Sequence, residues 1–158
     1  MVSKYGMGVV LLGALALCGG CAETGGVNAT QRSAAAVPVA KSLYERLGGQ
    51  PAITAVVDQF VANVAADGRL NNRFATTDIP KLKGHLVDQV CQATGGPCRY
   101  QGRDMTATHL GMRISSADFG ALVQDLVAAL DTFNVPVGEK GELLALLGPM
   151  KKDIVELP

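Results

Sequence analysis

The stretch "ISSADFGALVQDLVAALDTF", residues 114–133, sets the fold class. Ser115, followed three residues later by Asp118, is a sequence signature of a helix N-terminus. Apolar side chains then recur at the spacing of one helix face: Phe119, Leu122, Val123, Leu126, Val127, Leu130 and Phe133. The stretch therefore predicts a long helix with one buried face.

Segments on either side of this stretch show the same helical repeat. Residues 53–64 predict a helix that the segment "ADGRLNN" ends. Asp78 can cap another, whose first turn tolerates Pro80 and which "ATGGP" ends. A last helix is predicted over residues 139–155, with a kink at Pro149. No strand pattern of comparable strength occurs, so we predict an all-α domain of about four long helices.

The first residues resemble a bacterial export signal. Lys4 precedes an apolar run at residues 7–17, which is too short to span a bilayer as a permanent helix. The following "LCGGCAET" resembles a lipoprotein signal, in which cleavage precedes a cysteine that then carries a diacylglyceryl group. We therefore expect residues 1–20 to be a signal peptide and Cys21 to be lipidated. The alternatives are ordinary cleavage near Ala22 and a metal or redox site formed by the "CGGC" cysteines.

The composition of the remaining residues limits both the domain organisation and the kinds of partner. Residues 21–41 are rich in alanine and small residues, and they predict a flexible linker ahead of one domain at residues 42–157. Without residues 1–20, whose one charged residue is Lys4, 13 basic residues stand against 14 acidic ones with no basic cluster. Nucleic-acid binding therefore has no electrostatic support, and we expect membrane contact through the lipid anchor only.

The sequence contains two histidines, His85 and His109, and both fall on apolar segments. Each one alone is compatible with an ordinary core histidine. Together, among large apolar neighbours, they suit a flat hydrophobic cofactor whose iron is held by a neutral imidazole. The side chains predicted to line such a pocket are Phe60, Phe74, Leu82, Leu86, Val90, Met105, Met112, Ile114 and Phe119.

Two other kinds of metal site fit the sequence less well. The chain has no CxxCH motif, which argues against a covalently attached c-type haem. Two histidines without a nearby cluster of carboxylates or thiols make a poor zinc site, because zinc takes three or four protein ligands.

Five segments, in their order and spacing, resemble the group I truncated haemoglobins: "LYERLGG", "RFATTDIPKLKGHL", "ATGGPCRYQGRDM", "THLGMRI" and "ADFGALVQDLVAAL". The resemblance covers residues 42–156 and implies a two-over-two helical sandwich around a non-covalently bound b-type haem. It implies that His109 is the proximal iron ligand and that Phe74 packs on the haem. The family's paired glycines are matched by Gly48, Gly49, Gly95 and Gly96.

The distal side of the implied pocket departs from the best-known family pattern. Val61 stands where many members have tyrosine, and Leu82 and Leu86 stand where glutamine is frequent, so bound O₂ would lose its usual hydrogen-bond donors. His85 matches the position at which cyanobacterial members place a distal iron ligand, which implies bis-histidine coordination. The alternative is a His85 that points outward or only donates to the ligand. Because no histidine follows His109, a histidine link to a haem vinyl group is excluded.

Cys91 and Cys98 fall at a predicted helix end and in the following loop. In an exported domain they can form a disulfide that closes a short loop, and the alternative is two buried thiols.

Three functions are compatible with the sequence. We favour a globin that binds O₂, NO or CO, with NO dioxygenase or peroxidase-like detoxification as an open question and with an unknown reductant. The second is a periplasmic electron-transfer or redox-sensing haem protein, and the third is a helical interaction module without a cofactor. The expected location is the periplasm or, because Ala22 follows Cys21, the outer membrane.

Overall fold

A computed structural model describes residues 40–158. The predicted signal peptide, Cys21 and most of the predicted linker lie outside these residues. The elements in chain order are α1 (Leu43–Arg46), α2 (Gly49–Ala66), a 3₁₀ turn (Asn71–Phe74), α3 (Ile79–Ala93), α4 (Met105–His109), α5 (Ser116–Thr132), α6 (Val137–Leu147), a 3₁₀ turn (Gly148–Met150) and α7 (Lys151–Ile154). Within residues 40–158 the only β-type pairing is an isolated bridge between Ser115 and Leu157, so the predicted all-α class is confirmed.

Side-chain caps begin α3 and α5 at the positions that the sequence predicts. The Asp78 carboxylate accepts the N–H of Lys81 at 3.1 Å and starts α3. Ser115 Oγ accepts the N–H of Asp118 at 3.1 Å, and the Asp118 carboxylate accepts the N–H of Ser115 at 2.8 Å, which starts α5. Each cap satisfies N–H groups that the first helical turn leaves unpaired and contributes about 1 kcal/mol.

Pro149 divides the helix that was predicted over residues 139–155. The α-helical hydrogen bonding of α6 stops at Leu147, a 3₁₀ turn follows at Gly148–Met150, and α7 begins at Lys151. Proline has no N–H to donate, and its ring collides with the preceding turn. The C-terminal region is therefore two helices joined by a tight turn rather than one kinked helix.

The core forms where α2 packs against both α3 and α5. A second cluster joins α6 to α5 and α1 through Leu143, Leu130 and Leu43. The buried side chains of the main cluster are Ile53, Val57, Phe60, Val61, Val64, Leu70, Val87, Cys91, Ala121 and Ala129.

Two glycines reverse the chain between α1 and α2. Gly48 and Gly49 have φ angles of 96° and 73°, which side-chain-bearing residues rarely adopt. The turn lets Leu43 of the short α1 pack in the cluster that also contains Leu143. Within residues 40–158, none of the helices combines the length and apolarity needed to cross a bilayer.

Candidate cofactor site

A cavity lies between α2, α3, α5 and the C-terminal helices, and α4 contributes one residue to its wall. It encloses about 210 Å³, and the atom-free space is about 1130 Å³ when the solvent at its open mouth is included. The wall is apolar except for the side chains of Gln89 and His109. Its other residues are Val57, Phe60, Val61, Val64, Ala65, Phe74, Ile79, Leu82, Leu86, Val90, Phe119, Leu122, Val123, Leu126, Leu147, Met150 and Ile154.

Most of the predicted pocket residues lie on this wall, whereas Met105, Met112 and Ile114 do not. Met112 follows α4 and is 39% exposed. Ile114 is buried, and its carbonyl accepts the N–H groups of Glu156 and Leu157. The Met105 sulfur lies 3.7 Å from the amide nitrogen of a glutamine on α3. The predicted residues on the wall are Phe60, Phe74, Leu82, Leu86, Val90 and Phe119.

His109 is the last residue of α4 and is half-buried at the cavity wall. Its Nδ1 lies 2.8 Å from the carbonyl oxygen of Met105, one turn earlier in the same helix. A carbonyl can only accept, so Nδ1 carries the proton and donates it, and the lone pair of the neutral ring lies on Nε2. The helix therefore fixes both the ring orientation and the tautomer that a metal ligand needs.

The turn after α4 is hydrogen-bonded to Glu156, which follows the last helix. The Glu156 carboxylate accepts the N–H of Gly111 at 2.7 Å and the N–H of Arg113 at 2.5 Å. These two backbone donors hold the pKa of Glu156 below its ordinary value. From the other side, Arg73 donates to the Met112 carbonyl at 2.9 Å. The segment that follows His109 is thus held at both edges.

On α2 and α3, the cavity wall supplies no hydrogen-bond donor at the three positions singled out in the sequence. Val61 of α2 is 7% exposed, and Leu82 and Leu86 of α3 line the same cavity. A polar ligand bound against these side chains would have no donor from them.

His85 is absent from the cavity wall. Its half-buried ring meets the ring of Tyr100 edge-on, with 5.9 Å between centroids and 68° between planes. Leu82 and Leu86, its neighbours on α3, do line the cavity. The structure therefore does not bring the two predicted iron ligands together, because His109 faces the cavity and His85 faces Tyr100.

Gln89 is a wall residue that the predicted pocket set omits. Its Nε2 lies 3.2 Å from the sulfur of Met150 and 3.7 Å from the sulfur of Met105, which links α3 to α4 and to the turn after α6. The signal was present in the sequence, because Gln89 follows Leu82 and Leu86 at helical spacing. The predicted pocket set contains only large apolar side chains, so it omits the polar Gln89.

The loop between α3 and α4 is attached to α3. The structure joins Cys91 and Cys98 in a disulfide with 5.7 Å between their Cα atoms. A Cβ on Gly96 would lie 2.5 Å from the ring of Tyr44 and 2.7 Å from the Cys91 sulfur, so only glycine fits there. Burial, with a smaller contribution from Asp104, raises the pKa of Tyr100 further along this loop.

The chemistry of the wall fits an iron porphyrin better than a hydrated metal ion. One imidazole with a free Nε2 stands in a water-excluding surface, which is what a flat apolar ring with a central iron requires. Residues 40–158 contain no group of three or more His, Cys, Asp and Glu side chains that could hold a metal ion by themselves. The single imidazole therefore suits a metal whose other ligands are supplied by a cofactor.

Comparison with known proteins identifies the family. The family model for bacterial-like globins matches residues 42–156. The group 1 truncated haemoglobin GlbN of Mycolicibacterium paratuberculosis is 35% identical over 113 residues, which span 72% of this chain and 83% of the relative. GlbN of a Nostoc species is 36% identical over 114 residues, which span 72% of this chain and 97% of the relative.

Solved structures give the same result for the fold. The truncated haemoglobin of Tetrahymena pyriformis in its Fe(III) form superposes with a TM-score of 0.70 at 31% identity, over 73% of this chain and 98% of that protein. A 2/2 haemoglobin from a Synechococcus species, in the cyanomet state with covalently attached haem, gives 0.69 at 34% identity over the same shares. The chain therefore belongs to the haem-binding group 1 truncated haemoglobins of the bacterial-like globin family, as the sequence resemblance indicates.

Proposed function

We propose that the cavity holds haem b non-covalently and that the protein binds a diatomic gas, O₂, NO or CO. The observation that carries the proposal is His109, a single imidazole with its Nδ1 already engaged, on an otherwise apolar wall. When bound, haem would supply an iron atom that can take both a protein ligand and a gas. Nε2 of His109 would be the protein ligand, and the surrounding side chains exclude water that would compete for the iron.

In this proposal His85 would compete with the gas for the iron. His85 lies on α3 between Leu82 and Leu86, which both line the cavity, so a change of its side-chain conformation is the motion required. The resemblance of its position to the distal ligand of cyanobacterial members supports this role. Gas affinity would then fall in proportion to the time that His85 occupies the site.

Electron transfer or redox sensing is the second candidate function. The donor-free wall at Val61, Leu82 and Leu86 favours it, because a bound gas gains no hydrogen bond there. The contact between His85 and Tyr100 favours gas binding, because it keeps the competing imidazole off the cavity wall. We therefore place gas binding first.

Detoxification of NO or of reactive oxygen species would be an accompanying reaction. Conversion of NO to nitrate, NO + O₂ + e⁻ → NO₃⁻, consumes one electron, so the protein would need an external reductant. Nitrate formation from NO and O₂ with and without a chemical reductant measures this activity.

The test of haem binding is the absorption spectrum of the purified ferric and ferrous protein. His109→Gly should lose most of its haem and its Soret band, and added imidazole should restore both, because it refills the vacated ligand position. His85→Ala is the matched control and should retain haem fully. Equal haem content and unchanged spectra in the His109→Gly protein would refute His109 as the ligand.

We also propose that the protein is exported and tethered to the bacterial envelope through a lipid on Cys21. The signal-like residues 1–20 support this, and a disulfide in the domain suits an oxidising compartment. Cys21→Ser should move the protein from the membrane fraction to the soluble periplasmic fraction. Cys18→Ser is the control, since residue 18 would leave with the signal, and an unaltered Cys21→Ser distribution contradicts the anchor.

A further inference from the structure

We infer that Tyr100 is a positioning residue that holds His85 away from the haem iron and so sets the fraction of protein open to gas. The inference rests on the proposed function, in which His85 competes for the iron. Its basis is the edge-on contact of the two rings, 5.9 Å between centroids. An imidazole packed on Tyr100 is not available to a metal in the cavity, because His85 is absent from the cavity wall in that position.

The ring of Tyr100 is fixed by its own loop. Its backbone N–H donates to the Gln92 side-chain carbonyl at 2.7 Å, and its hydroxyl donates to the Arg103 carbonyl at 2.9 Å. The ring also covers Gly102 so closely that a Cβ there would lie 2.2 Å from the Tyr100 hydroxyl oxygen. These contacts hold the tyrosine in one place, so the His85 side chain is the partner that moves.

The loop is in turn fixed to the helix that carries His85. The Cys91–Cys98 disulfide attaches the loop to α3 two residues before Tyr100. Gln92, which accepts the Tyr100 N–H, is also on α3. Tyr100 is therefore attached to the helix that carries His85, through a disulfide and a hydrogen bond.

The contact competes directly with coordination of the iron. An edge-to-face aromatic pair shifts an equilibrium by roughly two- to twelve-fold beyond simple burial. Loss of the Tyr100 ring should therefore raise the ratio of His85-bound to open protein by about two- to twelve-fold. CO association should slow in proportion to the fall in the open fraction, by at most the same factor.

The test compares Tyr100→Ala with Tyr100→Phe in the haem-loaded protein, at equal haem content. Tyr100→Ala should increase the low-spin six-coordinate fraction of the ferrous spectrum and slow CO association. Tyr100→Phe keeps the ring and loses only the hydroxyl bond to Arg103, so it should lie closer to the unmodified protein than Tyr100→Ala does on both measurements. If Tyr100→Ala leaves both unchanged, or if Tyr100→Phe has the full effect of Tyr100→Ala, the inference is wrong.

A second measurement reports the contact itself. In the diamagnetic CO complex the gas occupies the iron, so His85 should lie against Tyr100 and its ring protons should show an NMR shift caused by the Tyr100 ring current. That shift should disappear in Tyr100→Ala and persist in Tyr100→Phe, and a shift equal in both variants counts against the inference.

His85→Ala separates this inference from the function on which it rests. If His85→Ala changes the ferrous spectrum while Tyr100→Ala changes nothing, the inference fails and the distal ligation stands. If His85→Ala itself changes nothing, the distal ligation fails and the inference fails with it.

Discussion

Reduction of the Cys91–Cys98 disulfide should destabilise the domain measurably. The bond closes a loop with a sequence separation of 7 residues. In the chain-entropy relation, a loop of this length restricts the unfolded chain enough to contribute about 2.5 kcal/mol to the free energy of unfolding at 25 °C. With a urea dependence of about 1–3 kcal/mol per M, the unfolding midpoint should fall by roughly 1–2.5 M on reduction.

The assay is urea unfolding of the CO complex with and without a thiol reductant, so that the iron is ferrous in both samples. The unmodified chain is compared with itself because Cys91 is fully buried, and replacing it would add the cost of a cavity. The double variant Cys91→Ala/Cys98→Ala is the control and should not respond to the reductant. An unchanged midpoint in a sample that mass spectrometry shows to hold both free thiols would refute the loop-entropy argument.

Two further predictions concern the cavity wall and the hydrogen bonds between Glu156 and the turn after α4. Leu86→Gln should slow O₂ dissociation by roughly two- to twelve-fold relative to the donor-free control Leu86→Met, since one net hydrogen bond contributes about 0.5–1.5 kcal/mol; equal stopped-flow rates would contradict it. The pKa of Glu156 is lower in the folded state than its ordinary value of about 4.5. The ionised carboxylate should therefore stabilise the fold fully above pH 4.5, and this stabilisation should be lost as the pH falls through the folded-state pKa. The gap in thermal midpoint between the unmodified protein and Glu156→Gln should therefore narrow on acidification, and a gap constant from pH 7 to pH 3 would exclude this role.

Much of the fold follows from local sequence signals. Two helices begin at side-chain caps, which are formed by Asp78 for α3 and by Ser115 with Asp118 for α5. Each cap satisfies N–H groups of the first helical turn and depends only on a few adjacent residues. The break at Pro149 is equally local: the sequence predicts a kink there, and in the structure α-helical hydrogen bonding ends instead.

The candidate site was less predictable because its members come from distant segments. His109 is placed by its own helix, through the Met105 carbonyl, and it lies on the cavity wall, where the sequence resemblance implies an iron ligand. His85 faces Tyr100 because a later loop folds back onto α3, which no periodicity in α3 reveals. Met112 is exposed rather than cavity-facing because α4 ends at His109 and the following turn is drawn toward Glu156. These placements depend on tertiary contacts far apart in the chain.

The hydrogen bonds between Glu156 and the turn after α4 bear on the order in which the chain folds during synthesis. Glu156 follows Gly111 by 45 residues, so this turn cannot close during synthesis until the chain has been made as far as Glu156. The hydrogen bond between His109 and Met105 joins residues four apart and can form earlier. We therefore expect stable cofactor binding to follow closure of the turn, and in a chain that the sequence predicts to be exported, that order is compatible with insertion of haem on the far side of the membrane.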